Sequence, residues 1–190
     1  MEFFVIEARF CNDGSEFYFE PDDSVLVGEA PRCEECGNFY GRLPLVPPIT
    51  GTLVVKDSLF DLAATFGDDL LVSSRCLTVF SREGLNGMGV PVAVDITDVD
   101  GPKGVRARVS PYFLVGVARW GAEIDRSQSG LITAERRVCP ICGYAGLVHG
   151  FERVIVAEGS WRGYDLFTLK GLPVILATER VVDICQRANL

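Results

Sequence analysis

The stretch "RRVCPICGYAG", residues 136–146, decides how this chain folds. Cys139 and Cys142 are separated by two residues and followed at once by Gly143. That is half of a zinc site, because a structural Zn²⁺ takes four ligands in a tetrahedron. The other half lies far upstream in "PRCEECGNFYG", residues 31–41, where Cys33, Cys36 and Gly37 repeat the C-x-x-C-G pattern. The glycine has a physical reason. A knuckle bends the backbone so that N–H groups point at sulfur, and glycine tolerates the positive φ this can require. Arginine precedes each first cysteine: Arg32 in one knuckle, Arg136 and Arg137 in the other. Four thiolates around a dication leave a double negative charge that guanidinium groups can offset. One C-x-x-C alone leaves redox chemistry open. Four unligated thiols, or a disulfide within each knuckle, are the alternatives to a shared site. The expectation is one structural zinc held by Cys33, Cys36, Cys139 and Cys142.

A second repetition follows the same spacing. "VSSRCLTVFSREGL" (72–85) aligns without a gap to "ATERVVDICQRANL" (177–190). Arg75 matches Arg180, Arg82 matches Arg187, and Leu85 matches Leu190. The offset is 105, against 106 for the knuckles. An internal duplication is expected, each half running from a knuckle to a strand to a short helix. "PVILA" (173–177) is long enough for a buried strand. Thr178 then suits an N-cap and Glu179 the first turn. Val181, Val182, Ile184, Cys185 and Ala188 form an apolar helical stripe. In the first half "DDLLV" (68–72) and Ser73 or Ser74 take these parts. Cys76 and Cys185 read as buried helix residues. Cys11 carries no signal.

The remaining signals are β. "FFVIEARF" (3–10) and "EFYFE" (16–20) flank a turn at "CNDGS" and suggest an opening hairpin. "GTLVV" (51–55), "VPVAVDI" (90–96), "GVRARV" (104–109), "YFLVGVARW" (112–120) and "FERVIVAEG" (151–159) read as strands. "GRLPLVPPITG" (41–51) should be an extended loop. The expected architecture is α+β: one zinc-containing domain over 1–190. It holds two pseudo-repeated β-rich halves, about 1–86 and 105–190, with a Gly-rich seam at 84–104 and a split four-cysteine ribbon joining them.

The chain has 190 residues and is 48% hydrophobic, enough for a sizeable core. No apolar run approaches the roughly 20 residues of a spanning helix. "MEFFVIEARF" lacks a basic n-region and a cleavage site, so no signal peptide is expected. With four of seven cysteines assigned to metal, a reducing cytoplasm is the expected compartment. The net charge is −8, and a thiolate-bound zinc makes it more negative by two. Only three lysines occur, and no dense basic cluster suits direct nucleic-acid binding. Acidic residues gather in "NDGSEFYFEPDD" (12–23) and "DITDVDG" (95–101). These are either solvated turns or a face for a basic protein partner.

No nucleophile–base set, phosphate-cradling loop or H-E-x-x-H is present, so no catalytic residue is assigned and no enzyme is expected. The single histidine, His149, follows the second knuckle, and four cysteines already fill zinc's coordination. "CEECG" and "CPICG", about a hundred residues apart, resemble the double-CXXCG motif proteins, and so does the closing "YDLFTLKGLPVILATERVVDICQRANL" (164–190). That family is similar to the immunity proteins of bacterial swarm-inhibition toxins. The resemblance implies a non-enzymatic cytoplasmic antidote that binds one cognate protein toxin. It carries over Cys33, Cys36, Cys139 and Cys142 as metal ligands and no catalytic residue. A basic, nucleic-acid-acting toxin would suit an acidic inhibitor. The runner-up is a zinc-ribbon adaptor in nucleic-acid metabolism. A third option is an enzyme working through paired carboxylates, which would show as strongly shifted acids in a deep pocket. The candidate partner-facing aromatics are those among Phe17, Tyr18, Phe19, Tyr112, Trp120 and Trp161 that are exposed, since most aromatics in a β-rich domain belong to the core.

Overall fold

A computed structural model describes residues 2–6, 17–40, 43–56, 58–65, 69–134 and 137–190. The elements in order are β1 (Phe3–Ile6), β2 (Phe17–Pro21), β3 (Ile49–Val55), β4 (Leu62–Ala64) and β5 (Asp69–Ser73), which runs into helix α1 (Ser74–Arg82). Then come β6 (Val92–Asp100), a 3₁₀ turn (Arg106–Arg108), β7 (Tyr112–Gly116), β8 (Ala118–Glu123), β9 (Ile132–Thr133) and β10 (Val148–Gly150). The chain closes with β11 (Leu166–Lys170), β12 (Leu172–Thr178) and helix α2 (Glu179–Ala188). The protein is mostly β with two short helices. No helix among the described residues is long and apolar enough to cross a membrane.

Side-chain alternation sorts the strands into layers. A six-stranded sheet in the order β2-β3-β6-β7-β5-β4 curls until its edges nearly meet. Phe17 on β2 touches Phe60 just before β4, with ring centroids 5.5 Å apart. Its interior is filled by Phe17, Phe19, Leu53, Val55, Leu71 and Leu114. The opposite face of β5, through Leu70 and Val72, packs on α1, α2 and β12 through Phe80, Val181, Ile184 and Ile175. A four-stranded sheet, β1-β12-β11-β8, turns Phe167, Leu169 and Leu176 into a third cluster. Phe80 joins the first two layers and is fully buried, so Phe80→Ala should cost about 3–5 kcal/mol.

Both expected strand–helix units form, and their local chemistry matches. Ser73 donates its N–H to Asp61 O (2.9 Å) and its hydroxyl to Asp61 Oδ1, while Arg75 Nη1 donates to Asp61 Oδ2 (3.0 Å). Thr178 donates its N–H to Asp165 O (2.9 Å) and its hydroxyl to Asp165 Oδ1 (3.1 Å), and Arg180 Nη1 donates to Asp165 Oδ2 (3.0 Å). The arginines also reach across to the other unit. Arg75 donates to Ala188 O and Asn189 O at the end of α2, and Arg180 donates to Glu83 O at the end of α1. These carbonyls have no partner within their own helices. Neighbouring strands match too: β7 lies antiparallel to β5 with Tyr112 opposite Ser73, and β1 antiparallel to β12 with Phe3 opposite Thr178. Ser73 caps α1 by accepting from Cys76 N–H (3.1 Å). Thr178 stands in the N-cap position of α2 and gives its hydroxyl to Asp165, but unlike Ser73 it makes no side-chain cap bond.

Several expectations are corrected. β1 and β2 do not form a hairpin: β1 pairs with β12 and β2 with β3. The turn between them lies outside the described residues. "GVRARV" contains the 3₁₀ turn, because buried Val105 anchors it while Arg106 reaches back to Asp98 and Thr97 O. "YFLVGVARW" breaks after Gly116 into β7 and β8, which belong to different sheets. "FERVIVAEG" is no regular strand and keeps one bridge, Val156 to Ile124. Its Ile155 N–H is taken by the hydroxyl of buried Ser129 (3.0 Å).

Candidate metal centre

Each knuckle is built the same way. Gly37 N–H donates to Cys33 O (2.8 Å) and Cys33 N–H to Asn38 O (2.9 Å). Gly143 N–H donates to Cys139 O (2.9 Å) and Cys139 N–H to Tyr144 O (2.8 Å). Gly37 and Gly143 have φ of 70° and 74°, a conformation natural only to glycine. Each knuckle tips a ribbon. The first ribbon leaves between β2 and β3 and is closed by the Val27–Leu45 bridge, and the second is closed by β9 and β10.

The four sulfurs lie within 4.8 Å of one another. Cys33 Sγ is 3.7 Å from Cys139 Sγ, and Cys36 Sγ is 3.6 Å from Cys142 Sγ. A tetrahedral Zn²⁺ with bonds of about 2.3 Å sets its sulfurs about 3.8 Å apart. All four are free thiols, so no disulfide competes. The cluster is positioned to bind one metal ion, and the donor set and spacing fit zinc. Four protein ligands leave no open coordination position, so such an ion braces the fold.

The knuckles differ in their surroundings. Cys139 and Cys142 are buried, and a Cβ on Gly143 would come within 2.8 Å of Gly171 Cα and N in the β11–β12 turn. Arg126 locks this contact by donating to Gly143 O (3.2 Å). Around Gly37 a Cβ would meet nothing within 4 Å, and Cys36 is the most accessible of the four. The first knuckle touches the body through Cys33 and through Tyr40, whose ring lies 4.8 Å from that of Trp120. The thiols follow suit. The backbone N–H of Asn38 lowers Cys36 to about 7, whereas burial pushes Cys142 up to about 12. The equivalent N–H of Tyr144 opposes that rise without cancelling it.

Arg32 is committed elsewhere than the sulfurs, to Gly37 O (3.4 Å) and to the face of Phe39 (3.8 Å). Arg137 is exposed, and Arg136 lies outside the described residues. His149 is exposed on β10 and is not part of the cluster. Cys76 is buried in α1 and its thiol is raised by that burial, Cys185 is half-buried in α2, and Cys11 lies outside the described residues. Phe17, Phe19 and Tyr112 are core residues and so cannot be partner anchors; Tyr18, Trp120 and Trp161 are half-buried. Sequence reading missed Tyr40, Tyr144, Arg119 and Arg126, which surround the cluster without any motif of their own.

The acidic clusters come together. Asp22 N–H donates to Thr50 O (3.0 Å) and Thr50 Oγ1 to Asp22 Oδ2 (2.6 Å), and Thr50 pairs with Asp95 across β3–β6. Glu20, Thr52 and Asp98 form the next row, and Val54 pairs with Asp100. Glu20, Asp95, Asp98 and Asp100 are exposed, and among the described residues only Asp98 of these has a cationic partner, Arg106 at 3.3 Å. No family model and no curated protein matches the chain.

Proposed function

We propose that this chain is a non-enzymatic inhibitor: a cytoplasmic immunity protein that occupies a basic protein toxin, with zinc as an internal brace. The carrying observation is the meeting of two sequence-distant acidic clusters on one β2-β3-β6 face, at the foot of the metal-braced ribbon. Exposed carboxylates accelerate encounter with a basic partner over about 8 Å at physiological salt, and tight residence needs apolar anchors. The ribbons supply candidates, since Leu26, Val27, Phe39, Leu43, Ile141 and Leu147 are all exposed. The two halves are best read as products of a duplication. The near-equal offsets, the matched Asp61 and Asp165 networks and the reciprocal arginines support that reading.

The test is growth of cells expressing a toxin encoded beside this chain, with and without the protein. Growth restored by the wild type, and less well by Asp95→Lys with Asp98→Lys, is the expected result. Equal death in both cultures with the cognate toxin present removes the immunity reading.

A further inference from the structure

We propose that the cavity beside the second knuckle is an anchor pocket for an acidic protein segment that inserts one aromatic or large aliphatic side chain. The cavity, about 370 Å³, lies between Tyr144–Val148 and the β11–β12 turn, with Tyr40 and Trp120 along its wall. Its volume falls within the roughly 300–1,000 Å³ of ligand pockets. The lining is aromatic and aliphatic, including Tyr144, Leu147, Leu169 and Leu172. Of its threonines, Thr133 Oγ1 accepts from Arg126 (3.2 Å) and Thr168 Oγ1 from Trp120 N–H (3.1 Å). With most of the lining aromatic or aliphatic, apolar contact governs what enters.

Two further observations give the occupant its charge and mark the place. The Arg119 guanidinium lies 5.1 Å over the Tyr40 ring and that of Arg32 lies 3.8 Å over the Phe39 ring, both rings lining the pocket. Both arginines are exposed, and neither pairs with a carboxylate among the described residues. A stacked guanidinium keeps its N–H edge available to a carboxylate. Two exposed guanidiniums at the rim of an apolar pocket give an acidic segment its polar contacts. Trp120 also has a φ of 54°, where the β8–β11 register shifts. A bulky residue in that region is an outlier, and such strain gathers at binding sites. The only other non-glycine residue of this kind among the described ones, Asn189, merely ends α2.

This surface is distinct from the acidic face and opposite in charge, so it goes beyond the toxin reading and either can fail alone. The test uses full-length zinc-loaded protein and fluorescence anisotropy with three labelled pentapeptides: Asp-Glu-Trp-Glu-Asp, Lys-Arg-Trp-Arg-Lys and Asp-Glu-Ala-Glu-Asp. An oligothymidylate serves as a fourth probe. The acidic Trp peptide should bind best, and Arg119→Glu should weaken it several-fold with metal content and melting unchanged. Leu147→Glu, at a residue 73% exposed, must weaken it as well. Equal binding of the basic or alanine peptide, no binding of any peptide, or unaltered affinity in a folded variant overturns the proposal. So does tighter binding of the oligothymidylate, which assigns the surface to nucleic acid.

Discussion

The knuckle at Cys33–Tyr40 and the knuckle at Cys139–Tyr144 share a motif, a backbone hydrogen-bond pattern and a positive-φ glycine. One buries Cys33 but leaves Cys36 exposed, with open space around Gly37. The other is pressed so closely on the β11–β12 turn that Gly143 has no room for a Cβ. The motif therefore specifies the local bend and the aim of the thiols, and the body decides which knuckle is anchored. The second knuckle is held by packing and by Arg126 whether or not metal is present. The first is tied down chiefly through sulfur and the Tyr40–Trp120 contact. A metal ion held by the four cysteines would then be a clasp that fastens the more exposed ribbon to a fixed post.

Cys139→Ser is the severest way to test that asymmetry. It opens the clasp and leaves a hydroxyl in a site 7% exposed. A cross-link spanning a loop of about a hundred residues is worth roughly 4–5 kcal/mol, which sets the expected loss. Cys36→Ser removes a ligand too but leaves its hydroxyl in water, so it should cost less by about 1–3 kcal/mol. Metal per chain and thermal melting of both variants check this. Equal losses would mean that the two knuckles are equally anchored.

The glycines offer a finer comparison. Gly37→Ala and Gly143→Ala both place Cβ at positive φ, costing about 1–2 kcal/mol each. Only Gly143→Ala also collides with Gly171, adding about 1–3 kcal/mol of overpacking. Denaturant titration should rank Gly143→Ala the more damaging, and the reverse order would show that the docking of the second knuckle is misread.

The smallest effect is a pH dependence in metal-stripped protein. Cys36 falls from the ordinary thiol value near 9 to about 7. Its ionised form is favoured by folding, so that contribution is fully present above pH 9 and is lost as pH falls through about 7. Cys142 rises to about 12, so its contribution is present below pH 9 and is lost as pH climbs toward 12. Iodoacetamide should therefore modify Cys36 near neutral pH and Cys142 only in strong alkali. Simultaneous modification would erase the distinction.

The four-cysteine cluster was legible because zinc demands a fixed ligand type and spacing, and both knuckles carry them intact. The strand–helix units were legible because Leu70–Val72 and Ile175–Ala177 are apolar runs followed by Ser73 and Thr178. Pairing partners were not legible. The short run at Phe3–Ile6 signals a strand but not that its partner is β12, at the far end of the chain. Phe3–Ile6 and Tyr112–Val115 share an aromatic-aromatic-aliphatic-aliphatic pattern, which could have revealed their matched registers in advance. "FERVIVAEG" misled because its β-branched residues satisfy a strand pattern while the N–H groups of Glu152, Arg153 and Ile155 go to Ser129 and only that of Ala157 to a strand residue, Glu123. The pocket was hidden because Tyr40, Trp120, Tyr144 and Leu172 come from four separate segments.

The central claim is that one metal ion, bound only by sulfur, joins the two knuckles. X-ray absorption at the zinc edge, with metal stoichiometry on protein purified under reducing conditions, tests it most directly. The account predicts one zinc per chain with four sulfur neighbours at about 2.3 Å. Nitrogen or oxygen in the shell, a metal-free folded protein, or cysteines joined as disulfides in the reduced sample would contradict it.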